Sequence, residues 1–224
     1  MITYLSGKPG SGKSVHTAKL IRNALRNGQN VIANFPFRDD LVKPKSKKRP
    51  KGQFIYVSNE FFRQFDKNNP HNCPVYCLQC FCDNFHKADS SGRIKEGQTL
   101  LVFDECGSIW NSRSWQSAGR MEWLDFYSEH RKYGFEIYCI SQFERQIDRQ
   151  IREQFEYEIV HKKVNNFKTM GKILGVLCGG DLFVCVKRWY GVKSKKEGKV
   201  SATFMIGTKS IYRLFNTSQR FSKA

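Results

Sequence analysis

The chain has 224 residues, 40% of them hydrophobic and 26% charged, which is enough to fill one large core and too apolar for a disordered chain. Against 20 Asp and Glu stand 38 Lys and Arg, and the resulting +18 points to a polyanionic partner, either nucleic acid or an anionic membrane surface. No apolar run approaches the ~20 residues of a membrane helix, and no basic-then-apolar leader opens the chain, so it reads as soluble and cytosolic.

Residues 1–6 form a short apolar strand pattern followed by a glycine-rich turn. Residues 13–27 then read as a helix, with Val15, Ala18, Ile21 and Leu25 on one side and Gly28 as terminator. Val31–Phe35 is a second strand stopped by Pro36. Lys43–Lys51, with six cations and two prolines, is a loop. Phe54–Val57 predicts a strand and Asn59–Asp66 a short helix. Residues 68–98 are polar, cysteine-rich and weakly periodic, and are taken as an insertion.

Thr99–Phe103 returns to buried-strand character, Arg120–Lys132 is helical, Phe135–Ile140 is a strand, and Gln146–Phe155 is a helix with Ile147, Ile151 and Phe155 on one face. Alternating strands and helices imply right-handed crossovers and a mainly parallel sheet flanked by helices. From Tyr157 the pattern turns to β, with Tyr157–Val164, Leu182–Val186 and Val200–Ile206 as strands. The expected organisation is an α/β core over 1–158 and a basic, β-rich C-terminal extension over 159–224. That extension holds 14 Lys and Arg against 2 Asp and Glu, or +12 of the +18.

Gly7–Ser14 fits G-x-x-x-x-G-K-[ST] between an apolar strand and an amphipathic helix, the context a phosphate-binding loop needs. Gly7, Gly10, Ser11, Gly12, Lys13, Ser14 and Val15 would cradle a nucleotide's phosphates with backbone N–H groups and the helix N-terminus. Lys13 would contact the β- and γ-phosphates, and the Ser14 hydroxyl would ligate Mg²⁺. Asp104 and Glu105 follow a buried strand; Asp104 would hold the metal and Glu105 would act as general base on the attacking water. Gln142, ending the next strand, is placed to sense the γ-phosphate. Loop, acid pair and polar sensor together fit a P-loop ATPase with an extra strand between the loop and acid strands. Arg113, Arg131 and Arg152 are candidates for an arginine completing a neighbouring subunit's site, with Arg131 kept among the catalytic candidates.

Gly7–Ser14, Asn34–Pro36, Leu101–Glu105, His130 and Arg131 with Gly134, and Ile140–Gln142 followed by Ile147, Asp148, Ile151 and Arg152 resemble the zonula occludens toxin (Zot) family. Ile211–Ser218 is similar to that family's closing motif. Most members are assembly ATPases of filamentous bacteriophages. The resemblance implies an ATP- and Mg²⁺-dependent motor at the cytoplasmic face of the host inner membrane, driving extrusion of single-stranded DNA as coat protein is added. It places the nucleotide site on Gly12, Lys13, Ser14, Asp104 and Glu105. It further implies a homo-oligomeric ring and phage coat and membrane assembly proteins as partners. Members usually continue into a transmembrane helix and a periplasmic tail that carries the namesake's toxin activity. This chain ends where that helix would begin, so membrane contact is expected only if such a helix follows residue 224.

Two features stand beside the resemblance. Cys73, Cys77, Cys80 and Cys82, near His71 and His86, form a thiol-rich stretch outside the family's core pattern. Only Cys77 and Cys80 have regular chelate spacing, which leaves Zn²⁺, free thiols and disulfides open. Lys43–Lys51 and the cluster Lys187, Arg188, Trp189, Tyr190, Lys193, Lys195, Lys196 and Lys199 offer cations and aromatics suited to single-stranded DNA, the alternative being a solvated loop or a lipid-facing patch. The competing reading of the whole chain is a DNA-binding module whose nucleotide pocket is regulatory or silent.

Overall fold

The computed structural model describes residues 1–113, 118–164, 181–192 and 197–215. Eight strands form one sheet in the order β3-β2-β4-β5-β1-β6-β7-β8. The parallel part comprises β1 (Ile2–Ser6), β2 (Asn30–Ala33), β3 (Phe54–Tyr56), β4 (Thr99–Phe103), β5 (Phe135–Ile140) and β6 (Tyr157–Lys163). Two antiparallel strands, β7 (Asp181–Trp189) and β8 (Lys199–Gly207), extend the β6 side. The expected mainly parallel sheet with a β-rich C-terminal part is therefore present, and β5 lies between β1 and β4 as the motif order implied.

Near-continuous apolar strands such as β1 and β4 are buried along their full length because helices cover both sheet faces. On one face lies α1 (Lys13–Arg26), whose Val15, Ala18, Ile21 and Leu25 pack on Leu5, Val31, Val102 and Ile140. Each fully buried Val, Ile or Leu there contributes about 1.5–3 kcal/mol. Gly28 follows α1 with φ +82, the left-handed turn that ends a helix. The other face packs α2 (Asn59–Arg63), α3 (Pro74–Phe85), α4 (Arg120–Glu129) and α5 (Arg149–Glu153) around Phe62, Leu78, Trp110, Trp123, Phe126 and Ile151.

Two local expectations change, and one short helix is added. Within residues 68–98 lies the twelve-residue α3, which buries Val75, Leu78 and Cys82 in the main core. Its apolar positions are spaced for a helix, but flanking polar residues dilute the pattern. The helix expected over Gln146–Phe155 is only α5, preceded by a 3₁₀ turn at Glu144–Gln146, although Ile147, Ile151 and Phe155 are all buried as the periodicity required. A short α6 (Lys209–Tyr212) follows β8 and buries Ile211 against the α1 layer.

Candidate nucleotide site

The glycine loop begins where β1 ends. Gly7, Gly10 and Gly12 have φ of +141, +71 and +102, left-handed values that favour glycine. Space is equally restrictive at two of them. A Cβ on Gly7 would stand 2.8 Å from the His161 carbonyl oxygen, and one on Gly12 would stand 2.5 Å from the Phe183 ring. The first turn of α1 carries no acidic side chain, so nothing on that turn competes with an anion for the helix N-terminus. Lys13 Nζ donates to the carbonyls of Gly7 at 2.7 Å and Lys8 at 3.3 Å, curled over the loop. Burial lowers its pKa, while the Glu105 and Asp104 carboxylates oppose that shift. The Ser11 hydroxyl is buried without a partner among the described residues, and Ser14 is exposed. An orphaned hydroxyl, a cation satisfied only by carbonyls and left-handed glycines together fit a polyphosphate.

A cavity of about 240 Å³ opens at this loop, lined by Gly12, Lys13 and Ser14 and, from the C-terminal part, Lys163, Asp181 and Tyr212. Lys163 pairs with Asp181 at 2.7 Å, and the Tyr212 hydroxyl donates to the same carboxylate at 2.8 Å. Sequence reading missed this rim, because only the β6–β7 register and the α6 return bring those residues to the loop.

The acid pair is held from the neighbouring strand. Asn34, buried just beyond β2, accepts from the Asp104 amide at 2.7 Å and donates to the Asp104 carbonyl at 2.7 Å. Its amide also donates to Asn59 at 2.6 Å. Asp104 is half-buried, and burial first and the Glu105 charge second push its pKa up to about 6; the Glu105 amide and Lys13 pull the other way. Glu105 has φ +46 and ψ +46, and is the sole non-glycine residue at positive φ among the described residues. Left-handed backbone at such a residue costs on the order of 1–3 kcal/mol. Its exposed carboxylate accepts a hydrogen bond from Gln142 Nε2 at 3.1 Å. Loop lysine, acid pair and Gln142 thus meet at the C-terminal ends of β1, β4 and β5.

The arginines do not join them. Arg131 pairs with Glu156 at 2.6 Å, and Glu156 lies 3.8 Å from the N-terminal amine of Met1. That is the opposite end of β1 from the phosphate loop. Arg152 is half-buried on α5, its Nε without a partner among the described residues. Arg113 is exposed in the segment after β4, where Ser112 donates its amide to the Gln146 carbonyl.

The cysteine stretch does not form a metal centre either. A helix turns about 200° between Cys80 and Cys82, so Cys82 enters the core while Cys77 and Cys80 stay half-buried. Cys73, Cys77, Cys80 and Cys82 stand as free thiols, and Zn²⁺ shared among them is not supported. His86 is spent on the Tyr133 carbonyl and the Thr99 hydroxyl.

The basic surfaces divide similarly. Residues 43–50 are exposed, and Lys51 at the end of the run pairs with Asp39 at 2.9 Å. In the C-terminal cluster, however, Arg188 is engaged by buried Glu158 at 2.5 Å, and Lys187 lies 3.9 Å over the Tyr157 ring. Tyr190 packs edge-on against Tyr4 and Phe155 in the core, leaving Trp189 as the half-exposed aromatic. Lys193, Lys195 and Lys196 lie outside the described residues.

Sheet order, loop and acid pair define the class: a P-loop NTPase fold. A family model described as "Zonular occludens toxin (Zot)" matches residues 1–171. The chain belongs to the Zot family. Among curated proteins, it is 30% identical over 226 residues to the gene 1 protein of Enterobacteria phage fd, covering 99% of this chain and 60% of that relative. It is 29% identical over 227 residues to the gene 1 protein of phage M13, again covering 60% of its length. The chain thus spans about three fifths of these relatives. Among solved structures, the N-terminal domain of zonular occludens toxin from Neisseria meningitidis superposes with TM-score 0.51 at 14% identity, covering 96% of this chain and 98% of that one. The genome packaging NTPase B204 of Sulfolobus turreted icosahedral virus 2, in complex with AMPPCP, superposes with TM-score 0.51 at 12% identity, covering 92% and 97%. At such identities these two likenesses establish fold. No helix among the described residues is long and apolar enough to cross a membrane.

Proposed function

We propose that this chain is the ATP-hydrolysing part of a filamentous-phage assembly motor, acting on single-stranded DNA as a homo-oligomeric ring at the cytoplasmic face of the host inner membrane. The observation that carries the hydrolytic reading is the Gln142–Glu105 hydrogen bond, made by a glutamate held in left-handed backbone beside the phosphate loop. A strained, exposed carboxylate tied to the adjacent strand's sensor is costly, and a silent pocket has no use for it.

Lys13 would leave the Gly7 and Lys8 carbonyls and bind the β- and γ-phosphates. The Ser14 hydroxyl and Asp104 carboxylate would hold magnesium. When bound, the metal neutralises charge on the transferring phosphoryl group. Glu105 would take a proton from the attacking water, and Gln142 would orient the carboxylate and report the γ-phosphate. Asn34 fixes the backbone from which both acids project. Of the three arginines, exposed Arg113 would be the candidate for a neighbouring subunit's nucleotide, since Arg131 lies at the far pole and Arg152 is half-buried. Coat and membrane assembly proteins would be the partners, as the family resemblance implies.

The test is steady-state ATPase activity with and without Mg²⁺, across protein concentration and with single-stranded DNA. Mg²⁺-dependent turnover that rises with concentration and with DNA supports the motor. Nucleotide binding without turnover under all these conditions favours instead a DNA-binding module with a regulatory pocket.

A further inference from the structure

On the sheet face covered by α1, beneath the phosphate loop, three side chains with no part in the reaction above converge. His161 on β6 and Cys185 on β7 are direct register partners, so their side chains stand together on one face. His16, the fourth residue of α1, comes down onto them, its Nδ1 2.7 Å from His161 Nε2. The ligand atoms of His16, His161 and Cys185 all lie within 4.8 Å of one another, and no other such group of three occurs among the described residues. His161 and Cys185 are 2% and 3% exposed, and His16 is half-buried.

The donor chemistry is already set for a cation. His161 Nδ1 lies 3.0 Å from the Ser6 carbonyl, which places the proton on Nδ1 and leaves the Nε2 lone pair facing His16. A backbone carbonyl on the far ring nitrogen is the support that metal-ligating histidines usually have. Burial holds both imidazoles in their neutral, ligating form, with pKa values pushed down to about 3 at His16 and about 4 at His161. Burial pushes the Cys185 thiol up to about 11, while the Lys19 ammonium favours the thiolate.

We propose that His16, His161 and Cys185 form a three-ligand site for a soft divalent cation of the zinc class, with a fourth tetrahedral position taken by water. Two imidazoles and one thiolate are the donor set such ions select. Ligation at about 2.0–2.1 Å requires the two nitrogens to stand about 3.3 Å apart, so the rings separate by roughly 0.6 Å. His16 moves its ring proton from Nδ1 to Nε2 through solvent, with no net release. Cys185 loses one proton to solvent as its sulfur binds, so each ion displaces one proton. The bound ion would pin the start of α1 to β6 and β7. His16 is two residues past Ser14, and the His161 carbonyl lies close against Gly7, so the clamp would stiffen the loop from below.

The experiment is zinc titration of the metal-stripped full chain by calorimetry in buffers of different ionisation enthalpy, with cobalt(II) spectra as a second readout. The expected result is one ion per chain, one proton released, and a thiolate-to-cobalt charge-transfer band. Cys185→Ala should remove that band and weaken zinc at least about 10-fold, and His161→Gln should weaken zinc comparably while the thiolate ligand stays in place. A Cys77→Ser/Cys80→Ser variant should keep both. No zinc binding by the wild type, a cobalt spectrum without the thiolate band, or loss of zinc in the Cys77/Cys80 variant with retention in Cys185→Ala would each overturn the proposal.

Discussion

In the parallel half of the sheet the charges that matter are few and gathered: Lys13, Asp104 and Glu105 meet at strand ends, incompletely paired and partly strained. In the β7–β8 hairpin the charges are many, yet several of those described serve structure. Arg188 neutralises buried Glu158 of β6, Asp181 pairs with Lys163 of β6, and Lys187 covers Tyr157. The first region keeps polar groups unsatisfied where a ligand would satisfy them; the second spends its charges to attach itself to the first. A net charge of +18 therefore overstates the surface available to a polyanion. The open run at 43–50 is the better-exposed candidate among the described residues.

The sharpest way to break this contrast is Arg188→Ala. Among the described residues it leaves Glu158, 8% exposed, with only the Ser6 hydroxyl as a partner, and should cost about 3–5 kcal/mol in urea unfolding. A loss under ~1 kcal/mol would mean that Arg188 is free to serve DNA.

Asp104→Asn should have the opposite sign. The folded pKa of Asp104 is raised from 3.8 to about 6, so its contribution to stability is fully present below pH 3.8 and lost as pH rises through about 6. An uncharged amide escapes that loss. The variant should unfold later than wild type above pH 6, by on the order of 1–3 kcal/mol, and the gap should close toward pH 4. Magnesium-dependent nucleotide affinity should fall in the same protein. A destabilised variant at pH 7 would show that the carboxylate is structural.

Lys47→Glu/Lys48→Glu is the mildest change. These side chains are exposed, so Tm should hold, while the salt dependence of single-stranded DNA binding should flatten, its slope falling by about 0.7 for each DNA phosphate left without its cation. Unchanged DNA binding would move the DNA surface elsewhere.

How far the sequence could be read follows the same division. Gly7–Ser14, Asp104, Glu105 and Gln142 were legible because loop chemistry and strand ends are local in sequence, and the burial of β1, β4 and β5 was legible in their apolar runs. What depends on register was hidden. Asn34 reaches Asp104 across 70 positions, Asp181 and Tyr212 reach the loop only through β7 and α6, and His161 meets Cys185 only once β6 and β7 are aligned. Tyr190 and Arg188 resembled DNA-facing residues because composition alone does not distinguish a stacking aromatic from one packed on Tyr4. Cys82 was grouped with its neighbours by spacing, and the turn of α3 separates it from them.

The role of Glu105 as general base is decided by Glu105→Gln, with ATP binding and turnover measured on the same preparation. The amide keeps the shape of the side chain and a bond to Gln142 but no longer takes a proton. Turnover should fall by about 10²–10⁴-fold while nucleotide affinity is retained. Turnover within a few-fold of wild type, with affinity unchanged, would mean that Glu105 is not the base.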